Sequence, residues 1–362
     1  MVAMQTLAIT FGVLLVALSL ADVFQSVVVP RAVGRRLRPS FYMSRVTWFL
    51  WPRLMWVIYP RSSDRREDFL AMFAPFNLVL TLMLWSLLML IGYGSIFFAL
   101  RESIHPELAT LPEAFYFAGA SFFTIGFGDF VGNTGWTRLI SLAAGASGFG
   151  VISTTTAYLF AIFGAFQTRE QFVVTVGARA GSPPSGVGFL EVAQLTHTVG
   201  GLAEIMRGAQ RWAATLMETH LAYPILAYFR SSHDDESWVG TLGTLLDAST
   251  MLLSTVAEYD GEAKIFHTIG RHATYDLARY FHVDSESQDV GVTLAEFNEA
   301  CDRLEKCGYT LRDRAESWDR FRAIRGAYAP NLNSLARFFE APPLRWIGDR
   351  SILIRPHHVQ KP

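Results

Sequence analysis

Charge is what this chain has least of. Only 17% of its 362 residues are Asp, Glu, Lys or Arg, against 51% hydrophobic, which is poor for a soluble protein. The shortage is uneven. Residues 1–168 hold 11 Arg, no Lys and 8 acids, while the remainder holds 20 basic and 24 acidic side chains, and that split predicts two domains. Residues 71–100 and 139–166 contain no charged residue at all, and each exceeds the roughly 20 apolar residues a bilayer crossing needs. A third run, Thr6 to Val29, is interrupted only by Asp22 and Gln25. No Lys or Arg precedes it, so the basic n-region of a cleaved leader is missing and a retained span is expected.

Other absences narrow the function classes. No Gly-x-Gly-x-x-Gly follows a strand pattern, and Gly186-Val187-Gly188 has no third glycine. Strand alternation is scarce, which argues against a Rossmann-type regulator and a β-roll cyclic-nucleotide domain alike. There is no catalytic constellation, so the expectation is not an enzyme, with no cofactor and no nucleic-acid partner. Cys301 and Cys307 are the two cysteines, and in a cytoplasmic half they are expected to be reduced thiols.

What the chain does have is Thr124-Ile125-Gly126-Phe127-Gly128-Asp129, set inside its apolar half. Glycine takes positive φ without a steric penalty, so alternate glycines let a strand turn its carbonyl oxygens toward one axis. Four such strands would offer stacked rings of oxygen in place of a cation's water shell, with a ring of threonine hydroxyls at the inner end. Just upstream, Thr110-Leu111-Pro112-Glu113 has the form of a capping box. The aromatic-rich run from Glu113 to Phe123 would be a helix of about eleven residues, roughly half a bilayer core, too short to span. Its C-terminal end would direct partial negative charge at a central cavity.

These six residues resemble the selectivity filter of the potassium channel superfamily, whose usual form reads Thr-Val-Gly-Tyr-Gly-Asp, with Ile125 and Phe127 as variants. The resemblance is of the two-transmembrane, pore-loop, bacterial-like type and covers about residues 71–168. It implies a potassium-selective channel in which K+ passes Thr124, Ile125, Gly126 and Phe127, with Asp129 anchoring the outer filter. Tyr116 and Phe117 would brace the filter from behind. Phe123 stands where many members of the superfamily place Thr or Ser, and Phe127 lacks the tyrosine hydroxyl that ties the filter to the pore helix. One motif supplies one quarter of a pore and no second copy exists, so a homotetramer is required.

The expected fold is therefore an all-α membrane protein, a pore-loop channel with a re-entrant pore helix plus an all-helical cytoplasmic C-terminal domain. A first transmembrane helix occupies 1–30 and a cytoplasmic loop with an interfacial amphipathic segment 31–70. The pore domain occupies 71–168: outer helix 71–100, pore helix 112–123, filter 124–129, inner helix 139–167. A linker follows in 169–186, then the helical domain in 187–362. Arg31, Arg35, Arg36, Arg38, Arg45, Arg53, Arg61, Arg65 and Arg66 lie between the first two spans, which by the positive-inside rule puts that loop in the cytoplasm and the N-terminus outside. Localisation is then the cell membrane, multi-pass, with the lipid bilayer as partner. Phe41 to Tyr59, with Trp48, Trp51, Trp56, Arg45, Arg53 and Pro52, suits an interfacial helix better than a fourth crossing.

Asp22 lies well inside the first span, where a carboxylate reads by default as functional, a proton sensor or a partner for a cytoplasmic arginine; the favoured reading is that it sits near the inner end, where water and Arg31 or Arg35 would reach it. In the inner helix Gly145, Gly148 and Gly150 cluster, and either a gating hinge or close helix packing accounts for them. In the cytoplasmic half, Trp238 to Val256 and Phe266 to Tyr280 each trace an apolar helical face. A heptad-like stripe runs from Leu294 through Trp318, serving either to zip subunits or to fold against its own chain. His267, His272 and Asp276, and the polar loop Arg230 to Glu236, are weak candidates for a metal or another cytoplasmic ligand. Two rival functions remain: a weakly selective monovalent cation channel, and a membrane-anchored signalling protein with a vestigial pore.

Overall fold

Uninterrupted apolar runs become long helices because, away from water, the backbone must satisfy its own hydrogen bonds. The computed structural model describes residues 2–29, 38–59, 63–180, 184–232, 236–258, 261–285 and 290–347. It is helical throughout apart from one two-stranded pair and short turns, and it divides into two units, Met1–Phe163 and Gly164–Pro362. Among the described residues, three helical stretches are long and apolar enough to cross a bilayer: Val2–Val28, Arg65–Ala99 and Gly135–Gly177. The described residues thus form an all-α architecture, three helices of it long and apolar enough to cross a membrane, with a helical C-terminal remainder.

In the first unit, α1 (Val2–Val23) runs on into a π-helical turn, Phe24–Val28. Next come α2 (Pro39–Ile58), α3 (Ser63–Ala71) and α4 (Phe73–Ala99). A short strand β1 (Ile104–His105), the helix α5 (Leu111–Phe122), the strand β2 (Val131–Gly132) and the start of α6 (Gly135–Gly177) complete it. Helix α1 packs along α4 through small residues. A Cβ on Gly12 would sit 2.4 Å from the Gly92 carbonyl oxygen, and one on Gly92 3.0 Å from that of Gly12, so backbone meets backbone as membrane helices do where side chains are small. Helix α2 is pinned by Trp51, stacked on Phe69 at 4.6 Å and Phe76 at 5.1 Å, which folds α2 onto α3 and the beginning of α4.

The second unit holds the end of α6, then α7 (Gly186–Leu195), α8 (Leu202–Ala222), α9 (Trp238–Ser254), α10 (Gly261–Phe281), α11 (Leu294–Lys306), α12 (Arg314–Gly326) and α13 (Ala329–Phe338). Helix α9 is the hub, packed against α7, α10, α12 and α13. The expected single apolar face on α9 gives way to burial on nearly every side, Thr244, Asp247, Ser249 and Thr250 included. Its glycines admit neighbours: a Cβ on Gly243 would lie 2.5 Å from Ile347 Cδ1. Asp247 is buried with Arg325 at 2.9 Å, and the Tyr328 hydroxyl donates to it at 2.5 Å.

Three further expectations are corrected. The inner helix continues past 167 to Gly177, because Arg169 and Glu170 end the apolar run without ending the helix. Residues 181–183 of the expected linker lie outside the described residues; Ser185 caps α7, and Gly186 and Gly188 are buried inside it. The heptad stripe is two helices. Gly308 at φ 101° closes α11, with Gly308 N bonded to Glu305 O and Tyr309 N to Leu304 O, a glycine C-cap that turns the chain out of the helix. Phe297, Cys301 and Leu304 from α11 and Phe321 from α12 are fully buried within the chain's own core.

Candidate functional site

Helix α5 begins at a closed capping box. Thr110 Oγ1 accepts from Glu113 N at 3.4 Å, and the Glu113 carboxylate accepts the amides of Thr110 at 3.2 Å and Ala109 at 2.7 Å. With 12 residues the helix rises about 18 Å, well short of a hydrocarbon core of about 30 Å. The loop it belongs to is tied at its mouth. Strands β1 and β2 pair antiparallel, Ile104 opposite Gly132 and His105 opposite Val131, and Asn133 N donates to Ser103 O at 2.9 Å. Thr137 Oγ1 donates to the same carbonyl at 3.2 Å.

Between these anchors, Thr124, Gly126 and Gly128 have φ of 55°, 64° and 81°. Every second residue is thus left-handed, and two of the three are the residue type that takes this region without penalty. Thr124 pays roughly 1–2 kcal/mol for its place in the series. The amides are committed backwards: Thr124 N to Ser121 O at 3.1 Å, Ile125 N and Gly126 N to Ala120 O at 2.9 and 3.3 Å. Among the described residues, no hydrogen bond ends on the carbonyl oxygens of Thr124, Ile125, Gly126 or Phe127. A strand whose donors face its own helix and whose acceptors are unspent can coordinate a cation.

The residues expected to support the strand play unequal parts. Tyr116 stacks on Phe127 with ring centroids 6.1 Å apart and planes 3° apart, and its hydroxyl faces the Asp129 carboxylate. Asp129 Oδ1 also accepts from Phe130 N at 3.1 Å. Phe117 is buried against Phe97 of α4, centroids 4.6 Å apart; it braces α5 against α4. Phe123 is the C-cap of α5. Its carbonyl accepts from Thr124 Oγ1 at 2.7 Å, so it holds the threonine hydroxyl through its backbone.

The three glycines of α6 separate as well. A Cβ on Gly148 would fall 1.8 Å from Phe122 O, one on Gly145 3.3 Å from Ser121 O, and one on Gly150 would meet nothing within 4 Å. Gly145 and Gly148 let α6 touch the backbone at the end of α5. Gly150 has no such reason within the subunit.

Asp22 is not reached by water. It is fully buried and accepts from Ser40 N at 2.9 Å, Ser40 Oγ at 2.7 Å and Trp85 Nε1 at 2.9 Å, with Arg38 Nε at 3.7 Å. Arg31 and Arg35, its expected partners, lie outside the described residues. Sequence reading missed this junction of α1, α2 and α4. A buried carboxylate demands partners, but nothing local says that they are residues 18 and 63 positions away.

In the second unit the candidate ligands do not converge. His272 pairs with Asp276 at 3.1 Å on the surface, whereas His267 points its ring edge at Tyr328, centroids 5.5 Å apart. Among the described residues no group of three His, Cys, Asp or Glu side chains is placed to hold a metal ion. His233, Asp234 and Asp235 of the polar loop lie outside the described residues.

Residues 84–165, from within α4 through α5 and its following loop to most of α6, are similar to a family model described as "Ion channel". The chain is also similar to YdjJ, an uncharacterised membrane protein of Bacillus subtilis (strain 168), with 25% identity over 208 residues, 56% of this chain and 60% of the relative. The match thus spans less than two thirds of that relative's length. No solved structure matches.

Proposed function

We propose that this chain, an ion channel by its pore segment, is one subunit of a homotetrameric, potassium-selective channel that conducts K+ passively. The observation that carries the reading is the run of left-handed residues at 124, 126 and 128 beside four unspent carbonyls. Four copies around an axis would stack those oxygens with the Thr124 hydroxyls into successive ion sites. Residues 123–129 are exposed in the isolated subunit, as a strand covered by its own symmetry mates would be. Asp129 and Tyr116 would hold the outer filter, and Gly150 would be the hinge of the inner helix.

The arginine-rich segment between α1 and α4 favours a cytoplasmic position for α2 and α3, with the N-terminus outside and the second unit in the cytoplasm. In that orientation the pore loop enters from outside. The second unit would gate the pore through α6, which is continuous from Gly135 to Gly177.

Reversal potentials in opposed K+ and Na+ gradients test the selectivity. A value near the K+ equilibrium potential is expected from the full-length protein in planar bilayers. Near-equal permeabilities would replace the reading with a weakly selective cation channel, and no current at all would leave the signalling function. Native mass spectrometry checks the fourfold assembly.

A further inference from the structure

The last turns of α6 belong to the second unit, and there Arg169 is sunk to 3% exposure. Its guanidinium donates to Leu226 O at 2.9 Å, Phe229 O at 2.8 Å and Glu170 Oε1 at 2.9 Å. Its own carbonyl accepts from Trp212 Nε1 at 3.2 Å. The guanidinium also lies over the Phe166 ring, 5.1 Å from its centroid, and Nη1 is 3.4 Å from His220 Nε2. His220, on α8, is fully buried, with its ring 4.9 Å from that of Trp238.

The imidazole's tautomer follows from its neighbours. Nδ1 lies 2.8 Å from Leu216 O; a carbonyl only accepts, so Nδ1 carries the proton and Nε2 keeps the lone pair. That lone pair faces a guanidinium, which only donates. Protonating Nε2 would set donor against donor and add a second positive charge to a pocket with one carboxylate. That carboxylate, Glu170, already pairs with Arg169 at 2.8 Å.

The charged groups that face His220 are few. From α6 there is Arg169 with Glu170 behind it; from α9 there is uncharged Trp238; on α8 itself Thr219 Oγ1 lies 3.4 Å from Nδ1. The turn Pro224–Tyr228 contributes the Leu226 carbonyl through Arg169. Burial, and then Arg169, push His220 well below its ordinary value. Glu170 Oε2 is buried without a hydrogen-bond partner, yet the imidazole's contact is with Arg169. An imidazolium would gain Glu170 only if α6 moved against α8, which gives two arrangements with opposite proton preference.

We propose that His220 is a proton-sensitive positioning residue: neutral, it locks Arg169 of the pore-lining helix to α8 and the 224–228 turn; protonated from the solution bathing the second unit, it releases that helix and changes ion flux. The proposal rests on the channel reading for its effect on flux, but not for the release itself. Because burial and Arg169 disfavour the imidazolium in the locked arrangement, acidification favours release. One unit of pKa difference between locked and released forms shifts their ratio about tenfold, so a flux change on the order of tenfold is expected between pH 7.5 and 5.5.

Two readouts on the full-length protein in liposomes keep the readings apart: K+ flux, and hydrogen exchange of residues 164–177. Wild type should lose protection at 164–177 and change flux on acidification, and His220→Gln, which keeps an acceptor toward Arg169 but does not titrate, should do neither. Equal pH dependence of protection in both proteins overturns the joint while leaving the pore reading intact. Protection that depends on His220 in a protein without flux supports the joint and removes the pore. Should His220→Gln fail to assemble, 15N resonances of the wild-type imidazole decide: a proton on Nε2 at pH 7.5, or titration at 6.5 or above, overturns the proposal.

Discussion

The ring of Tyr116 lies parallel to that of Phe127, 6.1 Å away, while its hydroxyl faces Asp129. One residue of α5 thus backs both the Phe127 ring and the carboxylate two positions on. Phe127 has no hydroxyl with which to reach α5. In the proposed channel the donor stands on the helix side of the same contact, so the missing hydroxyl would weaken the filter less than its sequence suggests.

Tyr116→Phe should keep the stacked ring and lose the hydroxyl that faces Asp129. If that contact holds the outer end of the filter, the K+ over Na+ permeability ratio should drop. Asp129→Asn should act in the same direction, and the double substitution should add little to either single one. Bi-ionic reversal potentials read all three; strictly additive losses would mean that the two residues do not work as a pair.

The glycines of α6 should respond in opposite ways. At Gly148 a methyl group would overlap Phe122 O at 1.8 Å, a backbone atom that cannot rotate aside, so Gly148→Ala should abolish tetramer recovery on size exclusion. Gly150→Ala meets open space and gains about 1 kcal/mol of helix propensity. Its tetramer yield should match wild type while its open probability shifts toward the straight-helix state. Unchanged single-channel gating in Gly150→Ala would remove the hinge assignment.

Local chemistry was legible in the chain and distant chemistry was not. Thr110 with Glu113 forms the capping box its residues spell, since a cap needs only four neighbouring residues. The alternation at Gly126 and Gly128 is likewise written in residue type. Hydropathy, however, reports where a membrane would end and not where a helix ends, which is why α6 outran its apolar run. The apolar face of α9 was legible but not the burial of its other sides, because periodicity cannot tell a small buried Thr or Gly from an exposed one. Gly12 against Gly92, Asp22 against Trp85, and Arg169 against His220 exist only once the helices cross.

At the junction of α1, α2 and α4, Asp22→Ala would strand Arg38, Trp85 Nε1 and the Ser40 amide around a cavity. Removing one partner of a buried ion pair typically costs about 3–5 kcal/mol, so thermal unfolding in detergent should shift down by several degrees. Asp22→Asn keeps one acceptor and should recover part of that loss. Trp85→Phe removes a single donor and should cost about 1–3 kcal/mol. If Trp85→Phe were as harmful as Asp22→Ala, packing of the indole and not its hydrogen bond would be what matters.

His267 gives the second unit a measurable acid limit. Burial, and then Arg271, lower it from 6.5 to about 4. The unfolded chain therefore takes up a proton first as pH falls, so the stability that the neutral ring allows is complete above about 6.5 and lost progressively down to about 4. The full loss is on the order of 3 kcal/mol. His267→Phe keeps a ring to pack edge-on against Tyr328 and removes the titration. Its melting temperature should match or fall slightly below wild type at pH 7.5 and exceed it at pH 5. Parallel melting curves across that range would show that His267 titrates alike in the folded and unfolded chain.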